Sequence, residues 1–282
     1  MSGPTIVALG DIHSNAPALR ACVERIDQIR PDMVIFMGDY VSDCACPQET
    51  LALMKHCAET HDCRFILGNR EQYMLDHRAG RTNWTSGTGG GSLIYTYARL
   101  TETDLDAFEH MPALIRIPFD GYESLLCCHG APDDLRGWLA DIPDQAQAWL
   151  DQHDCGLVLC AHTHRPGVMP LKRGTLVNTG TVGLPIDRPG QAAMALVQGR
   201  SGKWHAEIVR VPFDPEETIA RFKSDGLYDE AREWPRMIAR QLRFGGEPAI
   251  QMIRYAHELC PDGPIAESVW HEAAQMVLKG TE

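Results

Sequence analysis

Apolar residues in the first two thirds of the chain follow two alternating rhythms. Short runs at Thr5 to Leu9, Met33 to Met37 and Arg64 to Leu67 read as buried strands bounded by turn residues. After the first run, Leu19, Cys22, Val23, Ile26 and Ile29 recur at helical spacing and form one apolar face. That helix opens near Pro17, a residue suited to a first helical turn. A second helical pattern, from about Glu49 to Glu59, leads into the third strand. Strand–helix–strand alternation predicts a parallel, layered sheet.

Further strands are expected at Leu114 to Ile117, Leu125 to Cys128, Leu157 to Cys160, Thr175 to Asn178, Ala193 to Val197 and His205 to Val211. The last few follow closely, with turn signals such as Gly199-Arg200-Ser201-Gly202 between them, and so predict a mainly antiparallel second sheet. The fold class expected is α/β, with two sheets packed as a sandwich and helices outside. Gly87-Thr88-Gly89-Gly90-Gly91 reads as a flexible connector. After Pro212 the pattern turns helical, so residues 1–212 are expected to form the main domain and 213–282 a helical appendage. The appendage is expected to cap a cleft, pair subunits into a homo-oligomer or cover the sheet.

Composition narrows the partners. The formal net charge of -12 argues against a nucleic-acid backbone or an anionic membrane as the main partner. It also means that an anionic substrate needs local cations to reverse the field inside its cleft. The amino-terminal apolar run is short and has no basic start, and no stretch reaches membrane-spanning length, so a cytoplasmic protein is expected. The ten cysteines lie largely inside apolar runs, as in Leu125-Leu126-Cys127-Cys128, and are expected to be reduced, small buried hydrophobes.

Candidate chemistry gathers at strand ends. Asp11 and His13 follow the first strand, Asp39 the second and Asn69 the third, while His129 ends one later strand and His162 and His164 end another. Parallel strands bring their carboxyl ends to one rim, where ligands bind. Seven donors suit two divalent ions better than one tetrahedral zinc, which needs only three or four. A carboxylate can bridge two ions, and Asp39 is the expected bridge. Histidine and carboxylate donors without thiolates favour manganese, iron or zinc over magnesium or calcium. Such a pair clamps a phosphoryl oxygen, lowers the pKa of a bridging water and stabilises the leaving oxygen.

The order Asp11-x-His13, Gly38-Asp39, Gly68-Asn69, His129, then His162-x-His164 resembles the calcineurin-like metallophosphoesterase superfamily. Asp11-Ile12-His13-Ser14-Asn15 and His162-Thr163-His164-Arg165-Pro166 are similar to its bacterial phosphodiesterase-type branch, and Asn178-Thr179-Gly180-Thr181-Val182-Gly183 to its closing loop. The resemblance implies a four-layer α/β/β/α sandwich and two metal sites, one of Asp11, His13, Asp39 and His164, the other of Asp39, Asn69, His129 and His162. It implies two divalent ions, manganese first with iron or zinc as alternatives, and catalytic roles for Asp39, His129 and the residue after Asn69. That residue is Arg70, where the family often has histidine. Arginine cannot donate its proton at ordinary pH, so Arg70 is expected either to clamp phosphate as a fixed cation or to pair with an acid such as Glu71. With no proton donor there, good leaving groups such as aryl esters or phosphoanhydrides are expected to be favoured over simple alkyl monoesters.

The activity expected is hydrolysis of a phosphate ester, as a phosphodiesterase or phosphatase on a small phosphorylated molecule. A dinucleoside polyphosphate hydrolase, a protein phosphatase and a catalytically silent scaffold are the competing readings. Asn15, Arg165 and Asn178 are expected to anchor loops and orient ligands. Ordinary structural roles are expected of Cys44, Cys46, Trp84 and Tyr95, and of Ile250, Ile253 and Leu259 as packing surface.

Overall fold

The computed structural model describes residues 3–139 and 142–279. Residues 1–2, 140–141 and 280–282, the last three belonging to the expected appendage, lie outside the described residues. The chain runs β1 (Thr5–Leu9), α1 (Ala16–Ile29), β2 (Met33–Phe36), α2 (Pro47–Thr60), β3 (Cys63–Phe65), α3 (Asn69–Arg78), α4 (Gly91–Tyr97) and α5 (Glu102–Glu109). It continues through β4 (Leu114–Phe119), β5 (Tyr122–Cys128), α6 (Pro143–His153), β6 (Cys155–Cys160), β7 (Gly167–Pro170), β8 (Thr175–Asn178), β9 (Gln191–Arg200) and β10 (Lys203–Pro212). Five helices close it: α7 (Pro215–Ser224), α8 (Leu227–Ala231), α9 (Trp234–Phe244), α10 (Pro248–Leu259) and α11 (Glu267–Lys279).

Two mixed five-stranded sheets result, in the orders β10-β9-β1-β2-β3 and β4-β5-β6-β8-β7. Side-chain alternation explains the layering. In β1, Ile6 and Ala8 join Leu125, Leu157, Leu159 and Val177 between the sheets. Val7 and Leu9 face the other way, onto Leu19, Cys22, Val23 and Ile26 of α1. In the second sheet Leu126, Val158 and Leu176 pack outward on Ala146 and Leu150 of α6. Each fully buried aliphatic side chain contributes about 1.5–3 kcal/mol. The layer order is therefore helix, sheet, sheet, helix, as the resemblance implies.

One expectation is corrected. The β9–β10 hairpin does not belong to a second, mainly antiparallel sheet; β9 pairs antiparallel with β1, from Thr5↔Gln198 to Ala8↔Ala195, and extends the first sheet. Residues on both faces of β9 are buried, from Ala192 through Ala195, which suits an interior strand. The second sheet has a parallel centre, β5-β6-β8, with antiparallel edges β4 and β7.

The glycine-rich segment at 87–91 is corrected too. It is a close-packed contact, not a flexible connector: a Cβ on Gly91 would lie 2.2 Å from Glu230 O, and Thr88 Oγ1 donates to Glu267 Oε2 at 3.0 Å. Glycine serves here for close backbone approach. The C-terminal helices thus pack on the core, sharing one apolar cluster with Ala16, Cys44, Ala45, Cys46, Tyr95 and Leu184. Tyr95 donates to Ala45 O at 2.9 Å, and Trp84 stacks on His77 at 4.3 Å, so both serve packing. Eight of the ten cysteines are buried, as small hydrophobes are. No helix among the described residues is long and apolar enough to cross a membrane.

Candidate metal centre

Because β1, β2 and β3 run parallel, and β5 and β6 do likewise, their carboxyl ends reach one edge of the sandwich. The loops there interlock. Asp11 N donates to Gly38 O at 3.0 Å, Ile12 N to Asp39 O at 2.8 Å and Ser14 N to Tyr40 O at 2.9 Å. Gly183 N donates to Asp11 O at 3.0 Å, Thr181 Oγ1 to the same oxygen at 2.7 Å, and Asn15 Nδ2 to Gly183 O at 2.8 Å. Asn178 Nδ2 donates to Ala161 O at 2.8 Å and to Thr163 Oγ1 at 3.0 Å, and so fixes the loop that carries His162 and His164.

The backbone is strained where the donors sit. Asp11, His13, Asp39, His162 and His164 all have positive φ, between 50° and 66°. Left-handed backbone costs non-glycine residues about 1–3 kcal/mol each and persists only when the surroundings over-determine it. Gly38, with φ +92, has no such alternative: a Cβ there would lie 2.7 Å from Gly68 Cα and 2.8 Å from His129 Nδ1.

All seven expected donors converge. Ligand atoms of Asp11, His13 and His164 lie within 4.8 Å of one another, as do those of Asp39, His129 and His162. Asn69 joins the second group, its Oδ1 3.1 Å from His129 Nε2. Asp39 lies between the groups: Oδ1 is 3.4 Å from His129 Nε2 and Oδ2 is 3.9 Å from His13 Nε2. The imidazole Nε2 atoms of His13 and His164 face each other at 3.0 Å.

These residues fit divalent cations. Asp11 Oδ1 is buried without a hydrogen-bond partner, while the Nε2 atoms of His164, His13 and His129 point at it from 3.4, 3.8 and 4.0 Å. A buried carboxylate oxygen lacking a donor is costly, and a cation removes that cost. The rings are also oriented for it. His129 Nδ1 donates to Met37 O at 2.7 Å, and His13 Nδ1 lies 2.8 Å from Asp43 Oδ2, a close ionic contact outside good hydrogen-bond alignment. Both arrangements turn Nε2 toward the cluster, as carbonyl and carboxylate partners of metal-binding imidazoles do.

The carboxylates and imidazoles of the cluster shift one another. Burial opposes ionisation throughout, but His129 and His13 outweigh it at Asp39 and hold that carboxyl at about 2. At Asp11 burial is outweighed by His164, with His13 and His129 adding to it, and the carboxyl sits well below its ordinary value. Burial likewise opposes charging of His13 and His129, yet Asp11 and Asp43 raise His13 to about 9, and Asp39 raises His129 to about 10. His162 moves down, through burial and the charge of His129. Lowered carboxyls beside raised imidazoles are the pattern of closely set opposite charges that favour one another's ionised forms.

Two acids not singled out in the sequence support the site. Asp43, buried at φ 64, receives Ser42 Oγ at 2.8 Å and Trp234 Nε1 at 2.9 Å, and lies 3.2 Å from Arg70 Nη2. The acids paired with Arg70 are therefore Asp43 and, 3.9 Å from Nε, Asp39, rather than Glu71. Arg70 Nε is buried with no hydrogen-bond partner. Glu71 is fully buried and accepts the backbone N–H groups of Asp39 (2.8 Å), Tyr40 (2.8 Å), Gly68 (3.1 Å) and Val41 (3.3 Å). Burial and then the Asp39 charge push its carboxyl up to about 7.

A cavity of about 300 Å³ opens on this cluster, with His13, Asp39, Asn69, Arg70, His162 and His164 in its wall. His129 is fully buried, with its ring nitrogens engaged by Met37 and the cluster. Residues of α9 and α10 join Trp138, Leu184 and Ile186 in the rest of the lining, among them Ile250, which is 60% exposed and is thus not the packing residue expected from its helical spacing. Arg165 pairs with Glu247 at 3.0 Å, joining the histidine loop to the start of α10.

The chain is similar to known proteins over most of its length. The chain is 25% identical over 237 residues to an uncharacterized protein of Methanocaldococcus jannaschii, covering 79% of this chain and 93% of that one. A hypothetical protein of Pyrococcus horikoshii has a similar fold, with a TM-score of 0.70 at 20% identity over 86% of this chain and 99% of the other. A metallophosphoesterase of Sphaerobacter thermophilus superposes with a TM-score of 0.62 at 21% identity, covering 85% and 98%. Residues 4–166, which hold all seven donors, match the family described as calcineurin-like phosphoesterase. The chain belongs to the calcineurin-like phosphoesterase family.

Proposed function

We propose that this protein hydrolyses phosphate esters of a small molecule, and that its seven converging donors hold two divalent cations. The observation that carries the reading is the position of Asp39, whose two oxygens face different imidazoles, His129 and His13. Asp11, His13 and His164 complete one set with Asp39, and Asn69, His129 and His162 the other. Mixed nitrogen and oxygen donors without thiolate suit manganese, with iron or zinc as alternatives. Two bound cations supply a clamp for phosphoryl oxygens and a lowered pKa for the attacking water.

The chain's own residues orient the reaction. Arg70 presents a permanent cation in the cavity wall, its Nε 3.9 Å from Asp39 Oδ2 and its Nη2 3.2 Å from Asp43 Oδ2, and that cation attracts the phosphoryl oxygens. Asp43 holds that guanidinium in place. The water oxygen bonds to phosphorus and gives up a proton to solvent, and the phosphorus–oxygen ester bond breaks. The departing oxygen takes its proton from solvent, because Arg70 retains its own. Good leaving groups are favoured accordingly. A silent scaffold accounts poorly for a donor set complete in all seven members.

Activity of the manganese-loaded protein on a panel of phosphomonoesters, diesters and nucleotides tests this reading. Arg70→Ala should raise KM by about 10–100-fold, the worth of a charge-assisted hydrogen bond, while leaving metal content intact. Loss of metal together with the arginine would assign Arg70 to structure instead.

A further inference from the structure

We propose that the cavity beside the cluster is a subsite for an uncharged aromatic group on the phosphate ester, and that the C-terminal helices build it. The proposal rests on the phosphoesterase reading above and names the kind of ester. Beyond the metal-binding wall, the lining is Leu184, Ile186, Trp234, Ile238, Ala249 and Ile250, with Trp138 at 48% exposure and Ile250 at 60%. Large apolar side chains left in water beside a reactive centre mark a binding surface more than a packing one. On α10 the contrast is sharp, because Ala249, Met252 and Ala256 are buried while Ile250 is not.

Polar groups of this wall each have a partner within the protein. Gln241 Nε2 donates to Leu184 O at 2.9 Å, Trp234 Nε1 to Asp43 Oδ1 at 2.9 Å, and Glu247 pairs with Arg165 at 3.0 Å. Thr163 Oγ1 accepts from Asn178 at 3.0 Å. Among the described residues of the lining, Arg70 is the one permanently charged cation, and Asp43 shares it. Beyond the two proposed cations and Arg70, the lining offers the further negative charges of a polyphosphate chain no counterpart, which argues against a dinucleoside polyphosphate. A cavity of about 300 Å³ is at the small end for ligand sites and suits one phosphoryl group with one ring system, not a protein segment. Two indoles favour a flat ring over an alkyl chain, since aromatic pairs gain beyond the area they bury. Trp234 is further held by its bond to Asp43, so its ring meets the substrate already oriented.

The test compares phenylphosphonate with methylphosphonate, whose phosphorus–carbon bonds are not hydrolysed, by calorimetric titration of the manganese-loaded full chain. Wild type should bind the phenyl compound about tenfold more tightly or better, a difference typical of apolar pocket contacts. Ile250→Glu should bring the two affinities close together. Met276→Glu, an exposed position on α11 away from the cavity, should keep the wild-type ratio. Equal wild-type affinities, or no binding of either compound, would overturn the subsite. Hydrolysis of phenyl phosphate is measured on the same preparation. Selective phenylphosphonate binding without any turnover would strike the phosphoesterase reading, whereas turnover with equal affinities would strike the subsite alone.

Discussion

Asp39→Asn should abolish the second equivalent of bound manganese and lower turnover by roughly a thousandfold or more. Partners one step removed from a metal already change affinity by about 10–100-fold, and Asp39 stands between both donor groups. The substitution keeps the side chain's size, and its oxygen can still accept from Arg70 N, now at 2.8 Å to Oδ1. What it removes is the negative charge and the second oxygen, the one that faces His13 at 3.9 Å. The fold should therefore survive while the pairing of the sites is lost. Metal content by mass spectrometry, with turnover of an aryl phosphate, checks both halves. Retention of two equivalents at full activity would place the bridge elsewhere.

Glu71→Ala should destabilise the metal-free protein by about 3 kcal/mol or more, out of the 5–15 kcal/mol typical of a whole domain. Its carboxylate accepts four backbone N–H groups from the segments that carry Asp39 and Asn69. Truncation leaves those donors buried without acceptors, each costing about 1–3 kcal/mol. Relief of repulsion with Asp39, which helps push Glu71 up to about 7, offsets part of the loss. Urea denaturation of the metal-free variant measures the balance, free of any stabilisation by cations. An unchanged midpoint would mean that the amides find other acceptors.

Much of this architecture is legible in the chain because its signals are local. Short apolar runs mark β1, β5 and β6, and a donor within two residues of each strand end locates the rim. All seven donors converge where the strand order places them. Partner choice between distant segments is not local. The turn at 200–203 announces a hairpin, but nothing near it says that β9 lies against β1. Strand β7 is exposed along its whole length and so lacks the burial pattern that reveals a strand. Asp43 looks like any turn-forming aspartate; only its contacts with His13, Arg70 and Trp234 separate it from one. A weak signal existed for Glu71, in the Gly68-Asn69-Arg70-Glu71 spacing of a helix start, where a glutamate at the third helical position can turn back on the cap. At Gly87 to Gly91 composition alone misleads, since glycine permits both mobility and close packing.

Equilibrium titration of the metal-free protein with manganese tests the central claim most directly. Two equivalents should bind, with Asp39 shared between them. Saturation at a single equivalent, or no uptake, would contradict a two-cation centre at this edge of the sandwich.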